Sequence, residues 1–233
     1  MSLLEIKNLT IGYQHGLVKD INISLDKGKL IFLLGENGSG KSTFMKTLFK
    51  IIPPLNGNIF YENRNIQEMN SKIWSEKLSA VFSRFGVIPM IPVDEIIEIG
   101  SNHIDESWRD KVIELLNIEN LLDKLSNEIS DGQLQKVMIA RALLQNTDFV
   151  LFDEPTAHLD FKNKAQVFSL LRNLVNSTNK SFIIISHEIL YALEIADEIW
   201  YIDNAKLHCG GAQSIDEKFK LKEQILKFKK HEI

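Results

Sequence analysis

A single cysteine, Cys209, in a chain of 233 residues rules out an internal disulfide, and nothing in the composition points to an oxidising compartment. Long hydrophobic runs are missing as well. The longest, Leu30 to Leu34 and Phe182 to Ile185, fall far short of the ~20 residues that a membrane-crossing helix requires. The N-terminus, Met1-Ser2-Leu3-Leu4-Glu5, carries an acid early and has no basic stretch ahead of an apolar core, so no secretory signal is expected. There is no excess of base: 27 Lys and Arg against 31 Asp and Glu leave a net charge of −4 and a pI near 5.9. No positive field gathers nucleic acid from a distance, so none is expected as a partner. The expectation is an intracellular protein that touches a membrane only through a partner. No internal repeat or low-complexity linker is visible, and Pro53-Pro54 with Gly57 marks only a turn. His208 beside Cys209 lacks the second ligand pair of a metal site and is assigned no role.

What is present is an ordinary globular composition, 44% apolar and 25% charged, in a chain long enough to bury a full core. Short β-branched or aromatic runs at Leu30–Leu34, Ala80–Phe82, Phe149–Asp153, Phe182–Ser186 and Ile199–Asp203 are separated mostly by helical patterns. That alternation predicts an α/β core with a parallel sheet. Leu4–Asn8, Ile21–Leu25 and Asn58–Tyr61 have short, turn-rich connections and predict a small antiparallel sheet beside it. Phe168, Leu171, Leu174 and Val175 repeat at three and four residues, as on a helix packed against the sheet. From about Phe85 to Leu144 strand signals give way to helical ones, including Glu95–Ile99 and Trp108–Leu116, so a helical insert is expected there. The tail from Glu217 to Ile233 sets six lysines against three glutamates with Phe219, Ile225, Leu226 and Phe228 between them, which predicts a partly docked terminal helix rather than a membrane-surface segment.

Gly35-Glu36-Asn37-Gly38-Ser39-Gly40-Lys41-Ser42-Thr43 follows the strand Leu30–Leu34 and precedes the helical run Phe44–Phe49. This is the context of a phosphate-binding loop: glycines let backbone N–H groups turn onto the phosphates, and the helix start adds positive partial charge. Lys41 would reach the β- and γ-phosphates of ATP and Ser42 would hold Mg²⁺. Downstream, the apolar strand Phe149–Phe152 ends in Asp153 and Glu154. At the end of a core strand Asp153 can hold the hydration shell of Mg²⁺, while Glu154 can polarise a water in line with the γ-phosphate. His187 follows the next apolar strand, where a γ-phosphate contact is expected. Ser130, with Gln133 three residues on, can form a capping box at a helix start whose N–H groups favour an anion.

Together these elements resemble an ABC ATPase over nearly the whole chain, with Ile129-Ser130-Asp131-Gly132-Gln133 and the following Leu134 to Leu143 matching the family signature. The resemblance implies one ABC ATPase domain over residues 1–233, a P-loop NTPase core with a parallel sheet, a small antiparallel β subdomain and a helical subdomain at about 85–144. It further implies that Ser130, Gly132 and Gln133 act on ATP held by a second copy, that Tyr13 stacks on adenine, and that Ala157-His158-Leu159-Asp160 crosses the interface of a homodimer. Two positions depart from the family pattern. Asp131 replaces the usual first glycine and is expected to face away along the helix start, where negative charge is favourable. Ser83-Arg84 stands where the family has a glutamine that touches Mg²⁺, and either residue could occupy that place.

Val93 to Gly100 is similar to a helix in the ATPases of importers for iron chelates, haem and vitamin B12. That resemblance implies iron-siderophore or haem import through transmembrane permease subunits, with a substrate-binding protein as an indirect partner. It also implies a place on the cytoplasmic face of the plasma membrane. The same cassette also serves soluble assemblies, such as iron-sulfur cluster assembly, or an ATP-gated interaction module. Intact Glu154 and His187 weigh against the last.

Overall fold

In the computed structural model, residues 2–82, 89–101, 104–157 and 159–223 are described. Sequences that are apolar at nearly every position must be covered on both faces, and these form the parallel core. It consists of β3 (Leu30–Gly35), β6 (Leu78–Phe82), β7 (Phe149–Asp153), β8 (Ser181–Ile185) and β9 (Glu198–Asp203), arranged β9-β3-β8-β7-β6. Beside it lies the antiparallel set β1 (Leu4–Gly12), β2 (Gly16–Leu25), β4 (Asn56–Tyr61) and β5 (Arg64–Asn65), in the order β5-β4-β1-β2. On β2, Val18, Ile21, Ile23 and Leu25 are buried between exposed neighbours, as in a strand with one wet face. Both parts match the expected α/β architecture.

Two strands were not anticipated, the two-residue β5 and another that follows β9. β10 (Lys206–Gly210) runs antiparallel to β9 after the turn residues Asn204 and Ala205, both in left-handed conformations. It also touches β2, with Lys206 opposite Lys19 and the Lys19 N–H donating to Ala205 O at 2.9 Å, so it joins the two sets into one ten-stranded sheet.

Helices cover the core. α1 (Lys41–Leu48) and α2 (Ser71–Ser75) lie over one side, where Phe44, Trp74 and Trp200 are buried with the inner residues of β1 and β2. The other side is covered by α3 (Val93–Glu98), α4 (Glu106–Leu116), α5 (Asp131–Leu144), α6 (Phe161–Thr178) and α7 (Ile189–Ile195). On α6, Val167, Phe168, Leu171, Leu174 and Val175 face the sheet, as their spacing predicts. Each contributes about 1.5–3 kcal/mol relative to an exposed position. α3 to α5 occupy the stretch expected to be helical. Arg109 on α4 contacts Asp94 and, at 3.1 Å, Glu98 on α3, and the Trp108 indole donates to Leu143 O at 3.0 Å.

The tail begins as expected and then leaves the described residues. α8 (Ala212–Phe219) ends at Lys220, Phe219 packs against Tyr201 and His208, and Leu221 is buried. Residues 224–233, Ser83-Arg84 and His158 lie outside the described residues, so the readings made on them have no structural counterpart here. Among the described residues, no helix is long and apolar enough to cross a membrane.

Candidate active site

Register brings three strand ends together. Leu33 of β3 lies opposite Ile185 of β8, which lies opposite Asp153 of β7. Parallel strands sit about 4.8 Å apart, so the residues just beyond Leu33, Asp153 and Ile185 must converge at the carboxyl edge of the sheet, where ligands of α/β folds bind.

Beyond β3 the chain wraps back as a loop and enters α1 three residues earlier than expected, at Lys41. The helix starts there because Gly40 serves as its N-cap with φ of 112°, and Gly40 O accepts from Phe44 N–H at 2.8 Å. An added Cβ at Gly40 would meet Val18 Cγ2 at 2.8 Å, so glycine is required on both conformational and steric grounds. Asn37, Gly38, Gly40, Lys41, Ser42 and Thr43 then line a cleft of about 470 Å³ together with Asp153 and Glu154. Leu17, which the sequence did not single out, lines it as well.

Two candidates from this loop are not on the cleft wall. Gly35 carbonyl accepts from Lys41 Nζ at 2.6 Å, beside Glu36 carbonyl at 2.9 Å. Ser39 turns its hydroxyl inward, where it is buried without a hydrogen-bond partner. Its backbone N–H donates within the loop, to Glu36 O at 3.1 Å.

Lys41 faces Asp153 and Glu154 across the cleft, and the three groups act on one another. Burial lowers the Lys41 pKa, partly offset by Glu154 and Asp153. The Asp153 pKa is raised, chiefly by burial and then by Glu154, against the pull of Lys41. An oxygen set of one hydroxyl, Ser42, and one carboxylate, Asp153, suits a hard dication that keeps several waters.

Glu154 carries the most strained backbone of the site, with φ of 50°, held by its N–H donating to Ile185 O at 2.9 Å. Its Oε1 lies 3.2 Å from Nδ1 of His187 in hydrogen-bonding geometry, and Oε2 lies 3.0 Å from the same nitrogen but is buried without a well-aligned bond. His187 itself is largely exposed. The structure thus brings His187 onto Glu154 across 33 residues of sequence. Tyr13 is exposed on the turn between β1 and β2, and Lys46 of α1 donates to its hydroxyl at 3.3 Å.

The signature residues lie elsewhere. Ser130, Gly132 and Gln133 line a separate cleft of about 490 Å³, formed by the end of α4, the start of α5 and α6. Ser130 caps α5 by accepting from Gln133 N–H at 3.4 Å, and Gln133 Oε1 accepts from Ser130 N–H at 2.9 Å, which is the anticipated capping box. Asp131 is the exposed first residue of α5. Asp160 caps α6, accepting from Asn163 N–H at 2.9 Å.

A glycine cradle on a helix start, a buried lysine inside it, and two carboxylates on the next strand end but one define a P-loop fold that binds and hydrolyses a nucleoside triphosphate. Residues 18–157 match the family model described as ABC transporter. The chain is similar to the uncharacterized ABC transporter ATP-binding protein MJ0873 of Methanocaldococcus jannaschii, 32% identical over 90% of this chain and 76% of that one. It is also similar to the petrobactin import ATP-binding protein YclP of Bacillus subtilis, 26% identical over 88% of this chain and 85% of that one. Among solved structures, cbiO1 of Clostridium perfringens, part of the ABC transporter complex cbiONQ, superposes with a TM-score of 0.85 at 26% identity, covering 97% of this chain and 94% of that one. The chain belongs to the ABC transporter family, as an ATP-binding subunit with ATPase activity.

Proposed function

We propose that two copies of this chain close around two ATP molecules and drive an importer for an iron chelate, an iron-siderophore or haem. The observation that carries the dimer is the separation of the two clefts. Ser130, Gly132 and Gln133 present a helix start suited to a phosphate, yet they line a different cleft from the phosphate loop. A second copy, related by a two-fold axis, would supply them to the first copy's nucleotide and receive the same in return.

Within each site, Gly38, Gly40 and Lys41 hold the triphosphate, Tyr13 stacks on the adenine, and Glu154 takes a proton from the attacking water. His187 contacts the γ-phosphate, and Asp160 lies at the dimer contact. Mg²⁺, held by Ser42 and Asp153, would neutralise charge on the phosphate oxygens. The segment 93–100, which contains α3, and the relative named for petrobactin import support the cargo class. The partners of this reading are permease subunits at the cytoplasmic face of the membrane and, through them, a substrate-binding protein. The whole chain would then be one ATPase domain with α3 to α5 as its helical subdomain.

Glu154→Gln tests the reading, because the amide keeps the shape of the side chain but cannot act as the base. ATP affinity should persist, turnover should fall by at least about a hundredfold, and the closed dimer should accumulate on size-exclusion chromatography with ATP. A monomeric Glu154→Gln chain at saturating ATP would overturn the dimer. Uptake of iron chelates that is unaffected by loss of this chain would overturn the cargo class.

A further inference from the structure

An ion pair that none of the roles above uses ties the His187 segment to α6. Lys164, in the first turns of α6, contacts Glu188 Oε1, and both side chains are about four-fifths buried. The same oxygen lies 3.8 Å from Nε2 of His187, whose other ring nitrogen faces Glu154. One carboxylate oxygen is thus shared between an ammonium that holds it and an imidazole within reach of it.

The backbone on both sides is fixed. Asp160 O accepts from Lys164 N–H at 2.9 Å, and Ser186 Oγ accepts from Glu188 N–H at 3.1 Å. These bonds hold the backbone at each residue, which leaves the side chains the freest parts to rearrange. A largely buried carboxylate stripped of its partner seeks another donor, because leaving it unpaired is costly. The nearest ring nitrogen is Nε2 of His187, the atom that must be free to meet a γ-phosphate while Nδ1 stays on Glu154.

We infer that Lys164 is a positioning residue for His187, acting through Glu188: by holding that carboxylate it leaves Nε2 of the imidazole available to the nucleotide. This rests on the γ-phosphate role proposed for His187. Asp160 caps the helix that carries Lys164, so the arrangement also links the proposed dimer contact to the histidine through one turn of α6.

The test is a rescue. Lys164→Met keeps the length of the side chain and removes its charge. Its kcat should fall about tenfold, with ATP binding to the isolated chain within about twofold of the parent. In Lys164→Met/Glu188→Gln the neutral amide competes weakly for the imidazole, and kcat should recover to within about threefold. Lys164→Arg should stay close to the parent. A pair that merely braces the fold predicts the opposite, a double variant as slow as the single one with a lowered melting temperature in both, and that result overturns the inference. So does a Lys164→Met enzyme as fast as the parent when His187→Ala is inactive. A fully active His187→Ala enzyme instead removes the γ-phosphate role on which the inference depends, which separates the two failures.

Discussion

Ser39→Ala should stabilise the protein without weakening nucleotide binding. The Ser39 hydroxyl is buried with no hydrogen-bond partner, and it does not line the phosphate cleft. A hypothetical Cβ on Gly35 would meet it at 2.7 Å, which shows that it is packed against the far side of the loop. An unsatisfied buried hydroxyl costs about 1–3 kcal/mol, and replacing it by hydrogen removes that cost while creating little space. Taking the lower end, a gain of about 1 kcal/mol in a chain of this size raises the melting temperature by about 2–4 °C. The hydroxyl is off the cleft wall and the loop bond from the position 39 N–H to Glu36 O survives the substitution, so the affinity for a fluorescent ATP analogue should stay within about twofold; losing a hydrogen bond to a charged phosphate would cost about 1.5–3 kcal/mol, or more than tenfold. Thermal denaturation without nucleotide and a titration with the analogue measure the two quantities separately. A lower melting temperature, or a tenfold loss of affinity, would show that the hydroxyl serves the phosphates and that its inward orientation is misread.

The same geometry sets two further outcomes. Ser130→Arg should abolish hydrolysis while nucleotide binding to the monomer changes little, since Ser130 lines the other cleft; equal damage to both would place the signature in its own subunit's site. Lys180 is buried, donates to Thr147 O at 2.6 Å and Asn146 Oδ1 at 2.9 Å, and has its pKa pushed down to about 8, chiefly by burial, against the attraction of Asp148. A depressed pKa means that the unfolded chain binds the proton more tightly. The stability of the parent relative to Lys180→Met should therefore be flat below pH 8 and rise between pH 8 and the unfolded value of 10.5, by at most about 3 kcal/mol. Urea midpoints of both proteins across that range would show it, and a difference that stays flat or falls would contradict it.

The phosphate loop was legible because its chemistry depends on residue type at fixed spacing between a strand and a helix. Asp153 and Glu154 were legible because an apolar strand that stops abruptly at two acids is hard to explain otherwise. Their convergence with His187 arises only from the order of β3, β8 and β7, which is a tertiary fact. β10 escaped notice because Lys206 to Gly210 carries little apolar alternation and its turn is built from Asn204 and Ala205 rather than a glycine pair; its pairing with β9 decides its conformation. The contact between Lys164 and Glu188 spans 24 residues and has no local signature. The inward turn of Ser39 likewise depends on what packs behind the loop.

Glu154 has a consequence for anyone who would engineer this chain. A non-glycine residue in the left-handed region costs about 1–2 kcal/mol, and the residue that bears this cost is the proposed base. Residues that tolerate that backbone, glycine and asparagine first among them, would relax the strand end and remove the chemistry in the same step. Thermal stability and turnover are thus opposed at this one position. A screen that ranks variants by melting temperature alone would drift toward well-folded chains that bind ATP and do no work.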